Sequence, residues 1–300
     1  MQDLAQHLIN GLSLGSIYAL IALGYTMVYG VLQLINFAHA DIYMVGAFAS
    51  YYVARWMDLE ASPGIASLAM ALFASMACCA LLGVLIERLA YRPLRGSPKL
   101  NILITAIGVS LLLEFGAQLI FGANPKYFPR LIEDHALIEN EFLVLKSLDI
   151  TVFAVTLLAL AVLHYLVYKT KLGKSMRAIS HSMTTASLLG INVNTVVVFT
   201  FIVGSALAGV GSVLVGLKYP KIEPLMGVMI GLKAFVAAVL GGIGNMSGAV
   251  IGAFLMGLSE EFVVAYLSST MRDALAFGLL IGILIWKPSG LLGKHAIEKV

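Results

Sequence analysis

Long apolar runs separated by short polar breaks cover nearly the whole chain. At 1.5 Å per residue, about 20 apolar residues cross roughly 30 Å of hydrocarbon. Windows that meet or approach this length fall at about residues 11–33, 41–56, 64–87, 100–121, 150–168, 193–217, 226–243, 246–266 and 273–287. The second, the seventh and the last are short or interrupted by glycine, which bounds the architecture at about eight to ten crossings. Period-two alternation is absent, and in lipid a helix satisfies its own amide groups, so the spans are read as helices. The fold class is therefore an all-α polytopic membrane protein.

One polar island has helical character, Lys169 to Gly190. Within it Met176, Ile179, Met183, Ala186 and Leu189 recur at steps of three and four, which gathers them on one face and leaves Arg177, Ser180, His181, Thr184 and Thr185 opposite. Gly190 stands where a left-handed C-terminal cap belongs. A short amphipathic helix between spans either lies on lipid headgroups or docks into a groove on a partner. Its small apolar face, built on Met and Ala without Trp or Phe anchors, favours docking.

Composition agrees with the pattern: 60% of the 300 residues are hydrophobic and 12% charged, with a mean hydropathy of +0.95, far from the roughly 25% charged of soluble domains. Residues 1–300 are expected to form a single transmembrane domain, because the longest stretch without a span, 122–149, is too short for a core of its own. The net charge of +3 points to no nucleic-acid partner. Its distribution says more. Arg88, Arg92, Arg95 and Lys99 cluster in one loop, Lys169, Lys171, Lys174 and Arg177 in the polar island, and Lys287, Lys294 and Lys299 in the tail. By contrast 122–149 carries Glu133, Asp134, Glu139, Glu141 and Asp149. The positive-inside rule puts the three cationic segments in the cytoplasm, making about 169–192 a cytoplasmic loop and about 122–149 an extracytoplasmic one. An odd number of spans then gives an outside N-terminus and an inside C-terminus, unless 36–41 is a break within the membrane, which inverts the N-terminal side. The N-terminal stretch has no cationic region and does not read as a cleavable signal peptide. Cys78 and Cys79, adjacent in an apolar run, read as core residues and not as a disulfide.

Chemical motifs are few. Leu172-Gly173-Lys174-Ser175 ends like a phosphate-binding loop, but Tyr168 stands where the motif needs its first glycine, so no ATP site is expected here. The run Gly241-Gly242-Ile243-Gly244-Asn245-Met246-Ser247-Gly248 lies between two apolar helices and reads as a tight turn, not a nucleotide loop. The six histidines are scattered and no metal or hydrolase constellation appears, so neither an enzyme nor a metal or other cofactor is expected. Polar residues at membrane depth are costly and count as candidates for function. Asn36, His39 and Asp41 interrupt the pattern between the first two spans. Two readings fit them: Asn36 or Asp41 caps the helix that starts near Ile42, or the segment is a broken helix lining a passage. Glu114 and Lys233 sit mid-span, within reach of a mutual pair in some packings, while Glu260 and Glu261 stand near a span end and are expected to snorkel outward. Glycines four apart, Gly11/Gly15, Gly227/Gly231, Gly244/Gly248/Gly252 and Gly278/Gly282, predict close helix packing, with Gly241, Gly242, Gly244, Gly248 and Gly252 as the densest set.

Four runs carry a family resemblance: Leu34-Ile-Asn-Phe-Ala-His-Ala-Asp41, Ala186-Ser-Leu-Leu-Gly-Ile-Asn192, Gly231-Leu-Lys-Ala-Phe-Val-Ala-Ala-Val-Leu-Gly-Gly-Ile-Gly244 and Lys287-Pro-Ser-Gly-Leu-Leu-Gly293. Together, in this order across the chain, they resemble the LivH-type permease of branched-chain amino-acid ABC importers. The resemblance implies a permease subunit of the bacterial inner membrane, with a paralogous second permease, two ATP-binding cassette subunits that hydrolyse the ATP, and a periplasmic substrate-binding protein as partners. It also implies that Ser175–Gly190 is the ATPase-coupling loop, with Ala186 and Gly190 in the places of the family's Ala and Gly. Met176, Arg177, Ile179, Met183, Ala186, Leu189 and Gly190 are then the coupling residues. Asn36, His39, Asp41, Glu114 and Lys233 are the candidates for the translocation path. Ala40 stands where the family usually has Gly, and His181-Ser182 replaces a pair more often acidic or amide-bearing. The alternatives are an ABC permease for urea or amides, and an ion-coupled secondary transporter.

Overall fold

The computed structural model describes residues 4–140 and 143–293; Glu141, Lys294 and Lys299, counted above, lie outside them. Eleven α-helices make up most of the described chain. They are α1 (Leu4–Leu32), α2 (His39–Trp56), α3 (Ile65–Ile86), α4 (Lys99–Phe121), α5 (Ser147–Lys169), α6 (Lys171–His181), α7 (Met183–Leu188), α8 (Val193–Lys218), α9 (Met226–Gly241), α10 (Met246–Tyr266) and α11 (Arg272–Trp286). Among the described residues seven helical segments are long and apolar enough to cross a membrane, one of them Ser269–Trp286, in which a 3-10 turn extends α11 to 18 residues. The 18 residues of α2 and the 16 of α9 give lengths of about 27 and 24 Å, short of a full hydrocarbon thickness.

α1 is the axis of the bundle, buried along most of its length against α10, α8, α9 and α5. Small residues let the neighbours close in. Gly11 faces Leu258, Gly15 faces Phe254 and Gly257, and Gly24 meets Gly204 across the α1–α8 crossing. Gly227 and Gly231 seat the start of α9 on Ala40 of α2. Gly278 and Gly282 behave otherwise, since none of the described residues approaches them. Their side of α11 is open because this helix, like α4 and α5, turns much of its apolar surface away from the bundle.

The packing contains a repeat. α1 lies on α10 as α8 lies on α3; α1 meets α9 as α8 meets α2; α2 touches α4 as α9 touches α11. The chain enters α2 from the end of the bundle that carries Arg88–Lys99 and the polar island and enters α9 from the opposite end, and the starts of the two helices meet inside the bundle. Helices α8–α11 therefore repeat α1–α4 upside down, and the two short helices α2 and α9 cross each other at the centre. The three described cationic clusters, including Lys287, share one end.

The other end carries the acidic segment. Two small strand pairs occur there where a plain loop was expected: β1 (Lys126–Tyr127) with β4 (Lys221–Ile222), and β2 (Ala136–Asn140) with β3 (Leu143–Lys146), both antiparallel. Strands of two to five residues offer too few alternating positions to stand out in a sequence. A half-buried pair, Lys218 Nζ to Asp149 Oδ1 at 3.0 Å with Ser13 Oγ at 2.6 Å, ties α8, α5 and α1 at this end.

Candidate translocation path and coupling surface

After Leu32 the chain turns through Gln33, whose φ of 53° is left-handed, and re-enters as α2. α2 begins at His39 with Ala38 at its N-cap and no side-chain cap. Asn36 and Asp41 therefore do not cap the helix, and the capping alternative is removed. Their polar atoms go elsewhere or nowhere. Asn36 Oδ1 accepts from Tyr91 OH at 2.8 Å, and Asp41 Oδ2 accepts from Ser110 Oγ at 2.5 Å. Ser110 also lies 3.5 Å from Glu114 Oε1, so α4 brings two carboxylates round one hydroxyl. The His39 ring stands edge-on to Tyr25, with centroids 4.7 Å apart. Asn36 Nδ2, His39 Nε2, Asp41 Oδ1, Thr26 Oγ1 and Tyr43 OH are all buried without a hydrogen-bond partner. Three of the five belong to Asn36, His39 and Asp41 at the helix break, and each such group costs on the order of 1–3 kcal/mol.

Lys233 and Glu114 do not meet. Lys233 Nζ lies 3.0 Å from Glu260 Oε1 and 2.8 Å from Asp273 Oδ1, while no Lys or Arg pairs with Glu114 among the described residues. Glu260 is fully buried instead of snorkelling. Tyr18 OH donates to its Oε2 at 2.8 Å. Arg272 Nε lies 3.0 Å from its Oε1 without donating a hydrogen bond to it. Burial overrides the expected snorkelling because Glu260 is on the face that α10 packs against α1 and α9, where cations from two other elements reach it. A second buried pair, Glu87 with Arg95, sits at the opposite end. Burial draws the Arg95 guanidinium below its usual range, with the Glu87 carboxylate acting the other way.

The glycine-rich run is a close-packed turn. Gly241 and Gly248 meet backbone to backbone, and Gly252 rests on Ala237 and Gly241. Gly242 and Gly244 take φ of 106° and 91°, open only to glycine at low cost. Asn245 then caps α10 by accepting from Gly248 N at 3.2 Å. The Lys287–Gly293 run folds back on this turn: Leu291 N and Leu292 N donate to the carbonyls of Leu240 and Gly241 at 2.9 and 3.0 Å. Two of the runs that carry the resemblance thus form one structure.

The polar island is not a single helix. Ser182 adopts an extended conformation and its hydroxyl accepts from Thr185 N, ending α6 and starting α7. The apolar face expected to dock is turned inward: Met176 (3% exposed), Ile179 (2%) and Ala186 (2%) are buried in the chain's own core, and Met183 is half-buried against it. What projects is Thr184, Thr185, Ser187, Leu188 (84%) and Leu189 (76%), followed by Gly190 at φ 81°. Arg177 donates to Val167 O at 3.1 Å and lies over the Tyr168 ring. Gly173 abuts the carbonyls of Leu166 and Val167, so the glycine of Leu172–Ser175 serves helix packing.

A family model described as the permease component of branched-chain amino acid transport systems matches residues 7–284. The high-affinity branched-chain amino acid transport system permease protein BraD of Pseudomonas aeruginosa is 40% identical over 98% of this chain and 97% of its own. LivH of Escherichia coli K12, described in the same words, has the same identity and coverage. Among solved structures, PsaBC from Streptococcus pneumoniae in complex with a Fab covers 95% of this chain and 92% of its own at 13% identity and a TM-score of 0.48.

Proposed function

The chain belongs to the family of permease components of branched-chain amino acid transport systems, and on that premise we propose that it forms part of the membrane pathway of an ATP-driven importer in the bacterial cytoplasmic membrane. Its cargo is a branched-chain amino acid. The cationic end faces the cytoplasm, where two ATPase subunits engage Thr184–Gly190; the acidic end with the strand pairs faces a periplasmic binding protein. A paralogous second permease covers part of the outward apolar surface of α4, α5 and α11.

The observation that carries this reading is the capped projection at the cationic end. Ser182 fixes the start of α7, Asn192 fixes the start of α8, and between them two leucines stand in solvent at the tip of a short rigid element. An exposed apolar tip held this firmly suits a socket on a partner. The upside-down repeat supplies the moving part, since two halves related in that way rock about their crossing to open one end while closing the other.

The carboxylates Asp41 and Glu114, with no paired cation among the described residues, are the feature that favours the second reading, an ion-coupled transporter acting alone. Proteoliposomes decide between them. With all subunits present, leucine uptake is expected only when ATP is supplied to the cytoplasmic side. Uptake by this chain alone, driven by an ion gradient, overturns the importer reading.

A further inference from the structure

α3 does not end as an ordinary helix. It widens into a π-turn over Glu87–Tyr91 and then tightens into a 3-10 turn over Arg92–Leu94. Pro93 has no N–H to donate back into the preceding turn, which explains why the regular ladder stops here. A helix that changes gauge twice within eight residues has lost the cooperativity that locks a uniform helix, and such segments concentrate at functional sites.

Two sets of contacts leave this turn in different directions. On one side Arg95 pairs with Glu87 and donates through Nη1 to Asn194 Oδ1 at 2.6 Å. Asn194 lies in the first turn of α8, directly after the projecting segment: Ile191 N bonds Ala186 O at 3.1 Å, and Asn192 caps α8. On the other side Tyr91 OH reaches Asn36 Oδ1 in the α1–α2 break, and the Tyr91 ring packs on Phe201 of α8 with centroids 5.5 Å apart. A displacement of the projecting segment that shifts the start of α8 therefore acts on the π-turn through Arg95 and Phe201, and the π-turn acts on the break through Tyr91.

The joint is also incompletely bonded. Glu87 Oε2, Arg95 Nε and Asn36 Nδ2 are buried and unpartnered, although a carboxylate and a guanidinium are able to form two parallel bonds. A purely structural elbow is expected to use those groups. Leaving three of them idle on the very residues that make the contacts provides unused bonds for a second arrangement, the requirement for a two-state element.

We infer that the π-turn Glu87–Tyr91 is the joint that transmits motion of the coupling segment to the α1–α2 break, with Arg95, Asn194 and Tyr91 as its positioning residues. This rests on the importer reading above. The test uses the complete complex in proteoliposomes, measuring leucine uptake and ATP hydrolysis in the same vesicles, with subunit content checked. Asn194→Ala removes only an exposed hydrogen-bond acceptor, and Tyr91→Phe only a hydroxyl. Each is expected to lower uptake per ATP hydrolysed by about fivefold, the effect of one lost hydrogen bond in a two-state equilibrium, while ATP hydrolysis and subunit content stay near those of the unmodified complex. Asn194→Asp, which keeps an acceptor for Arg95, is expected to retain the ratio. Because the two contacts act in series, Asn194→Ala/Tyr91→Phe is expected to be no worse than the worse single variant. Unchanged ratios in both single variants, a multiplicative loss in the double, or a loss explained by missing subunits overturns the joint. Failure of the unmodified complex to couple uptake to ATP sinks the importer reading instead.

Discussion

Lys233 on α9 and Glu260 on α10 are joined at 3.0 Å across the interface of these two helices, and both are buried. Arg272 and Tyr18 complete the surroundings of Glu260, while Asp273 shares Lys233. Charges at this depth are tolerated because each has an opposite within reach. Removing Lys233 leaves Glu260 with Arg272 as its cation and Asp273 without its partner. Lys233→Met is expected to destabilise the chain by about 1–3 kcal/mol, less than for a wholly uncompensated buried charge, because Arg272 stays beside Glu260. Lys233→Met/Glu260→Gln is expected to recover a large part of that loss. Thermal unfolding of the purified chain in detergent checks both, and a double variant worse than the single counts against the pair as the cause.

The glycines divide into two classes, and substitution separates them. Gly248→Ala places a methyl against the Gly241 carbonyl, where only backbone movement makes room, and is expected to cost about 1–3 kcal/mol. Gly278→Ala meets open space and is expected to be neutral or slightly stabilising in the isolated chain, since Ala exceeds Gly in helix propensity by about 1 kcal/mol. Equal melting temperatures for the two variants contradict this division.

Sidedness follows from the separation of charge. In a chain whose Cys78 and Cys79 have been replaced, a cysteine at exposed Glu139 is expected to react with an impermeant thiol reagent added to intact cells. One at exposed His181 is expected to react only after the membrane is opened. The reverse pattern refutes the orientation.

The helices were legible because apolar run length is a local property. The elements at 193–218 and 246–266 lie within a residue of the windows read from hydrophobicity. Partnerships were not legible in the same way. Lys233 finds Glu260 and Asp273 because α9, α10 and α11 are neighbours, a fact held in the packing and not in the spacing of charges. The repeat escaped because its halves share an arrangement with little shared sequence; the surviving hint is a buried glutamate near the end of α3 and another near the end of α10, Glu87 and Glu260. In the polar island, periodicity identified which residues share a face, but the same signal arises whether that face meets a partner or the chain's own core. Ser182 carried the missing information. A serine followed by Met-Thr-Thr is able to end one helix and cap the next, and the cap won locally over continuation.

That inversion fixes how the coupling surface is to be tested. Met176 is buried against the chain's own core, so Met176→Asp introduces an unpaired charge there and is expected to lower the yield of the folded chain itself, by a desolvation cost of at least about 2 kcal/mol. Leu189 stands in solvent, and Leu189→Asp is expected to leave the isolated chain as abundant and as stable as before. If Leu188 and Leu189 seat in a groove on an ATPase subunit, the same aspartate is desolvated only on assembly, and the association constant is expected to fall about a hundredfold or more. Gly190→Val adds a β-branched side chain at φ 81° and is expected to disturb the direction in which the leucines point, reducing coupling with less effect on yield. Co-purification of the ATPase subunits through a tag on this chain, with the chain's own melting temperature measured alongside, separates the two faces. Full ATPase recovery with Leu189→Asp, together with a normal melting temperature for Met176→Asp, places the docking face on the side that the structure shows turned inward.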